Sequence, residues 1–193
     1  MVFLPLASAW LVVVGLGMRT LLVYANTPGP ATAHPQQWPA KTPLALIQSR
    51  QTLIMFAHPQ CPCSRASVQE LARVLAKSPD KPETAVVFYY PSAEGEAWAH
   101  TDLWSSAAAI PGVRAIADRD GTAARQFSAS TSGQVLLYKS GQLVFKGGIT
   151  AARGHQGSND GSDSLLALLS GTSHAFAKPR NTPVFGCSLV TAH

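Results

Sequence analysis

Thr52-Leu-Ile-Met-Phe-Ala-His-Pro-Gln-Cys61-Pro-Cys63-Ser64-Arg65-Ala66 is the stretch on which the reading of the whole chain turns. The unbroken apolar run from Leu53 to Ala57 predicts a buried strand in a sheet covered on both faces. His58-Pro59-Gln60 ends that run, and two cysteines follow with only Pro62 between them. Beyond Pro62, the apolar residues Val68, Leu71, Ala72 and Leu75 recur at i, i+3, i+4 and i+7, which is helical spacing. Proline suits a first helical position, where its missing N–H would have no partner anyway. Cys61 therefore falls at the joint between a buried strand and a helix.

A thiol at a helix N-terminus sees free backbone N–H groups and the positive end of the helix dipole, both of which favour thiolate. Arg65 adds a cation one turn into the helix, and His58 is near enough in sequence to exchange a proton. A thiolate at Cys61 would be a nucleophile at neutral pH. The competing expectation is a buried, inert cysteine, for which two thiols in one turn are a poor choice.

The arrangement of strand, short turn, cysteine and helix resembles the active site of the thioredoxin-like superfamily, in which Phe-x-Ala-x-x-Cys-x-x-Cys is common. Phe56 stands five residues before Cys61, which puts Cys61 on the nucleophilic position of that pattern. The second cysteine of the pattern would fall on Ser64, with Cys63 between. The strings His58-Pro-Gln-Cys-Pro-Cys-Ser-Arg-Ala-Ser67, Thr131-Ser-Gly133 and Thr182-Pro-Val-Phe-Gly-Cys187 together resemble the redoxin proteins of the RedB type. That resemblance spans most of the chain after residue 40 and implies thiol chemistry without naming a substrate.

The rest of the chain is organised around this joint. At 193 residues there is room for one domain with a sizeable core and extensions. Val2 to Met18 carry no charged side chain, and Leu21 to Tyr24 continue the apolar character beyond Arg19. That length is near the roughly 20 residues a transmembrane helix needs, so residues 1–25 are expected to be an uncleaved anchor or a cleaved signal. Arg19 can snorkel to the interface. Residues 26–43, with Pro28, Pro30, Pro35, Pro39 and Pro43, are expected to form an extended linker holding the domain off the membrane. Residues 44–193 form the expected domain.

Within that domain a short element is expected over Leu44 to Ser49. Strands follow over Leu53–Ala57, Thr84–Tyr90 and Val113–Ala117, and Gln134–Tyr138 and Gln142–Phe145 are joined by a Ser140-Gly141 hairpin turn. Helices are expected over Pro62–Lys77, Glu94–Ala109, Thr122–Phe127 and Ser164–Leu169. This order predicts an α/β fold. The resemblance implies a thioredoxin-like three-layer sandwich with a mixed central sheet, preceded by one N-terminal transmembrane or signal helix.

Further candidate residues lie outside the first stretch. In thioredoxin folds a cis-proline before the hairpin faces the nucleophile, and here the equivalent Ala129-Ser-Thr131-Ser132-Gly133 has no proline. The resemblance thus implies that Thr131 and Ser132 face Cys61, and that a guard against metal binding is missing. The loop from Gly147 to Asn159 is long enough to suggest function; it offers Arg153 as an anion clamp and His155 as an acid/base group. Three cysteines leave one over from any single disulfide. An i,i+2 bridge between Cys61 and Cys63 would be strained and easily reduced. Cys63 also points about 200° around the helix from Cys61, which disfavours direct pairing. Cys187, in the tail, is the competing partner. The resemblance nevertheless places the exchange chemistry at Cys61 and Cys63.

Two functions follow as expectations. In the first, a membrane-tethered thiol–disulfide oxidoreductase, Cys61 is the nucleophile, Cys63 or Cys187 resolves, and Ser64, Arg65, Thr131 and His155 complete the site. Its partners are protein thiols or disulfides and an unidentified electron donor, with no cofactor. In the second, a copper-binding metallochaperone, His58, Cys61, Cys63 and His155 supply a soft N/S ligand set. A peroxidase reading is weak: Pro59 stands only two residues before Cys61 with no threonine between. The net charge of +5 is spread along the chain without a Lys/Arg cluster, which gives nucleic acid little support. An anchored thiol domain is expected to face the periplasm, where disulfides persist.

Overall fold

The computed structural model describes residues 3–44, 51–171 and 180–189. Most of the short element expected over Leu44 to Ser49 lies outside the described residues. Helix α1 (Phe3–Asn26) precedes strand β1 (Gln51–Ala57), helix α2 (Pro62–Lys77), strand β2 (Glu83–Tyr90), helix α3 (Asp102–Ala108) and strand β3 (Val113–Arg119). Helix α4 (Thr122–Gln126), the hairpin β4 (Gln134–Lys139) and β5 (Gln142–Gly147), helix α5 (Asp160–Leu169) and a short strand β6 (Arg180–Asn181) complete the order.

The strands form one sheet in the order β3-β2-β1-β4-β5-β6. β1 pairs in parallel with β2 and antiparallel with β4, so the sheet is mixed and β1 is central. Because side chains alternate across a strand, Leu53 and Met55 enter one core with Val68, Leu71, Leu103 and Leu165. Ile54 and Phe56 enter the other core with Val87, Ala124, Phe127 and Tyr138. This is the expected thioredoxin-like three-layer sandwich, and it explains why β1 has no polar face. The Ser140-Gly141 turn has positive φ at both residues (48° and 78°), the geometry a two-residue hairpin demands.

The structure departs from the sequence-based expectation at two helices. The helix expected over Glu94–Ala109 is a single 3-10 turn, Glu96–Ala99, followed by α3. Trp98 packs on the Phe56 core whereas Trp104 packs on the opposite one. Residues six apart on one continuous helix cannot reach both sides of the sheet, so the chain breaks at His100 and Thr101. Helix α5 begins at Asp160 rather than Ser164, because Asn159 caps it: its side chain accepts from the Gly161 and Ser162 N–H groups.

Helix α1 is 24 residues long, an 18-residue stretch of it has a mean hydropathy of 1.9, and none of its residues is buried. It is long and apolar enough to cross a membrane, and a signal segment would have the same character. The proline-rich segment that follows lies against the body. Trp38 N–H donates to Gly141 O (2.8 Å), Leu143 N–H to Gln36 O (2.9 Å), and Tyr138 Oη to Pro35 O (2.9 Å). The Trp38 ring meets Phe127 and Tyr138 edge-on at 5.0 and 5.2 Å. Residues 35–38 thus edge the β4–β5 hairpin and close the second core. Trp38→Ala is expected to lower the stability of the full chain by about 2 kcal/mol, read as a drop in the urea midpoint at unchanged m-value. An unshifted midpoint would return this segment to the role of a free spacer.

Candidate thiol site

Cys61 is the N-cap of α2, extended at φ −84° and ψ 113°, and Pro62 opens the helix. The turn that carries it is closed by Cys61 N–H donating to His58 O (3.1 Å). Across from it the tail returns as an extended segment. Ser132 N–H donates to Cys187 O (2.9 Å) and Leu189 N–H to Ser130 O (2.8 Å), with Thr131 and Ser188 bridged between them. This pairing brings Cys187 Sγ to 2.9 Å from Cys61 Sγ, with all three thiols free.

Two local features make that approach possible. A proline at residue 132 could not donate a backbone hydrogen bond; serine can, and its N–H is what holds the Cys187 carbonyl. At residue 186 a Cβ would lie 1.9 Å from Ser132 O, so only glycine lets the tail come this close. Ser132 is completely buried, and its hydroxyl accepts from His58 N–H (2.7 Å) and shares a 2.5 Å hydrogen bond with the Ser64 hydroxyl. One side chain therefore ties the end of β1, the start of α2 and the strip that carries the tail.

The electrostatics single out Cys61. Burial pushes its thiol up, but hydrogen bonds from Cys187 and Ser64 favour the thiolate and outweigh it, so its pKa lies below the ordinary thiol value. The sulfur makes no formal capping hydrogen bond; the Ser64 hydroxyl and N–H act from the side of the first turn. Cys187 is pushed up to about 12, first by burial and then by the Cys61 thiolate it faces. Cys63 is also raised, by burial and the Cys61 charge, while Arg153 opposes the rise. Cys61 deprotonates first, and its negative charge holds the proton on its neighbours.

The other expected residues take different places. The Arg65 guanidinium turns to Asp102 (2.5 Å) on the surface, so α2 itself supplies the positive end that Cys61 meets. Thr131 is buried against Gly29, where a Cβ would lie 2.1 Å from Thr131 Oγ1, and that hydroxyl has no hydrogen-bond partner among the described residues. Its backbone bridges the tail, while Ser132 supplies the hydroxyl. Arg153 clamps carbonyls rather than an anion: it donates to Tyr24 O, Thr27 O and Gly186 O and lies 4.7 Å over the Tyr24 ring. His155 is exposed, its Nδ1 2.8 Å from Arg153 O. His58 stacks on Tyr89, lies edge-on to Trp98 and takes the Gln60 N–H at Nδ1; burial lowers its pKa, favouring the neutral ring at pH 7. The ligand atoms that come together within 4.8 Å belong to Cys61, Cys63 and Cys187. Neither His58 nor His155 joins them, because both rings are committed elsewhere.

Sequence reasoning missed Gly186 and the Ser132 N–H, although the Gly-Cys187 pair in the tail and the absent proline were the available signals. Comparison with known proteins places the fold alone. No family model matches the chain, and no curated protein does. An uncharacterized conserved protein of Geobacillus kaustophilus is 19% identical with a TM-score of 0.57, over 75% of this chain and 78% of that one. A hypothetical protein of Sinorhizobium meliloti is 20% identical with a TM-score of 0.52, over 86% and 96%. A secreted disulfide oxidoreductase of Mycobacterium tuberculosis homologous to E. coli DsbE is 15% identical with a TM-score of 0.46, over 64% and 83%.

Gly186→Ala is expected to push the tail off Ser130–Ser132. Cys61 then loses the hydrogen bond from Cys187, and its pKa rises. The pH midpoint of Cys61 alkylation by iodoacetamide, followed by peptide mass mapping, should move up from the wild-type value. An unchanged midpoint would mean that the tail does not tune the nucleophile. With its core elements in place, the chain has the α/β sandwich of a thioredoxin-like fold with its thiols gathered at the end of the central strand.

Proposed function

We propose that the protein is a thiol–disulfide oxidoreductase in which Cys61 is the nucleophile and Cys187 the resolving thiol. The observation that carries this reading is the contact of the low-pKa Cys61 sulfur with Cys187, 126 residues away along the chain. In the reducing direction the Cys61 thiolate attacks one sulfur of a substrate disulfide. A mixed disulfide forms and the other substrate sulfur leaves as thiolate. Cys187 then gives up its proton and attacks Cys61 Sγ. The mixed disulfide breaks, the second substrate thiolate leaves, and a Cys61–Cys187 disulfide remains, so two electrons have passed to the substrate.

The raised pKa of Cys187 fits this order. Once Cys61 is in a mixed disulfide it no longer carries the charge that kept the Cys187 proton in place, while Arg153 still favours the thiolate. Cys187 thus becomes more acidic at the step that needs it. The same pair run backwards would oxidise substrate dithiols. Cys63, on the first turn of α2, is the third thiol of the cluster and keeps its proton beside the Cys61 charge. The strings around Cys61, Thr131 and Cys187, which resemble those of RedB-type redoxins, support the same reading. Helix α1 suits a membrane tether, with the domain on the periplasmic side where disulfides persist.

Three single variants of the full chain test this in intact cells and with purified protein. Cys61→Ser is expected to abolish reduction of a model protein disulfide such as insulin. Cys187→Ser should accumulate mixed disulfides through Cys61 with exported proteins, and Cys63→Ser should retain most of the turnover. Full turnover in Cys187→Ser together with loss in Cys63→Ser would transfer the resolving role to Cys63. Adducts found only with cytosolic proteins would overturn the periplasmic placement.

A further inference from the structure

We propose that the reduced chain binds one Cu(I) ion through Cys61, Cys63 and the tail cysteine Cys187, in a three-thiolate site that closes only when the tail is docked. The three sulfurs lie within 4.8 Å of one another, and the Cys61–Cys187 pair is at 2.9 Å. Metal–sulfur bonds of about 2.3 Å in a trigonal plane put sulfurs about 4 Å apart. The observed separations, 2.9 Å for one pair and within 4.8 Å for all three, bracket that spacing.

The donor set selects the ion. Thiolates alone suit soft metals, Cu(I) and Zn(II) among them. A structural Zn(II) site takes four ligands in a tetrahedron, and no further Cys, His, Asp or Glu joins the cluster among the described residues. His58 and His155, which the sequence suggested as ligands, are engaged by Gln60 N–H and Arg153 O. A soft monovalent ion that accepts three-coordination fits the set as it stands, with no fourth ligand required. Three thiolates and one Cu(I) carry a net charge of about −2, and the guanidinium of Arg153 is beside them: it holds the carbonyl of Gly186, the residue before Cys187. Cys63 and Cys187 are both partly exposed, which gives the ion a route in.

Binding displaces the thiol protons and leaves copper as Cu(I), so no electron acceptor is needed. The site is also incompatible with the Cys61–Cys187 disulfide, because that bond removes two of its ligands. A disulfide substrate that oxidises the pair by two electrons would thus expel the metal. The proposal stands on the sulfur geometry and does not require the oxidoreductase reading to hold.

The test is a Cu(I) competition titration of the full-length, reduced, metal-free chain in detergent, with bicinchoninate as the chromophoric competitor and no disulfide substrate present. The wild type is expected to take one equivalent. Cys187→Ser should bind on the order of 100-fold more weakly or worse, while His58→Ala and His155→Ala match the wild type. To exclude a folding defect in the serine variant, the wild-type chain is oxidised to its Cys61–Cys187 disulfide and titrated again. It should bind no Cu(I) and recover the full equivalent on reduction. Unchanged affinity in Cys187→Ser, loss in His155→Ala, or equal uptake by the oxidised chain would each overturn the site, while leaving the disulfide assays above untouched.

Discussion

The structure depends on one contact between distant parts of the chain: the sulfur of Cys61 against the sulfur of Cys187, 2.9 Å apart. A strand-to-helix turn fixes the first and cannot move far, since β1 is central in the sheet and Pro62 starts α2. The second is brought in by backbone pairing, with the Arg153 side chain holding Gly186 O. Ser132 N–H, Ser130 O and the bare Cα of Gly186 are the means. That juxtaposition adds to burial in raising the Cys187 pKa and joins Ser64 in lowering that of Cys61.

Three free thiols in one place do not ionise together, because each thiolate raises the pKa of the next. The arrangement sorts them. Cys61 has the helix start and the Ser64 and Cys187 donors, so it carries the charge. The others keep their protons while Cys61 carries the charge. Arg153 contributes a second constraint. By binding Tyr24 O in the last turn of α1, Thr27 O just beyond it and Gly186 O, it caps the helix end and holds the tail with the same side chain. The thiol cluster therefore stands at the C-terminal end of the apolar helix.

Much of this was legible in the sequence, and for specific reasons. The run Leu53 to Ala57 has one explanation, burial on both faces, and the 3.6-residue spacing after Pro62 has one as well. Those fix the joint and place Cys61. The Ser140-Gly141 turn reads directly from the demand for positive φ. What could not be read is what depends on contact across the chain. Trp98 and Trp104 look like one helix until the sheet separates them. Arg65 looks like a partner for Cys61 until Asp102 takes it. Spacing argues against a Cys61–Cys63 bridge and leaves Cys187 merely possible, because nothing local says where a tail 126 residues away returns. The missing proline before the hairpin was visible as a departure, and its consequence, a free N–H at Ser132 for the tail, required the structure.

The most direct measurement is the connectivity of the oxidised chain. The full-length protein is oxidised stoichiometrically, alkylated, digested without reduction and mapped by mass spectrometry. The account predicts a peptide pair linking Cys61 to Cys187, with Cys63 recovered as the alkylated thiol. A Cys61–Cys63 linkage with Cys187 alkylated would contradict it, and would make the docked tail a bystander to the chemistry.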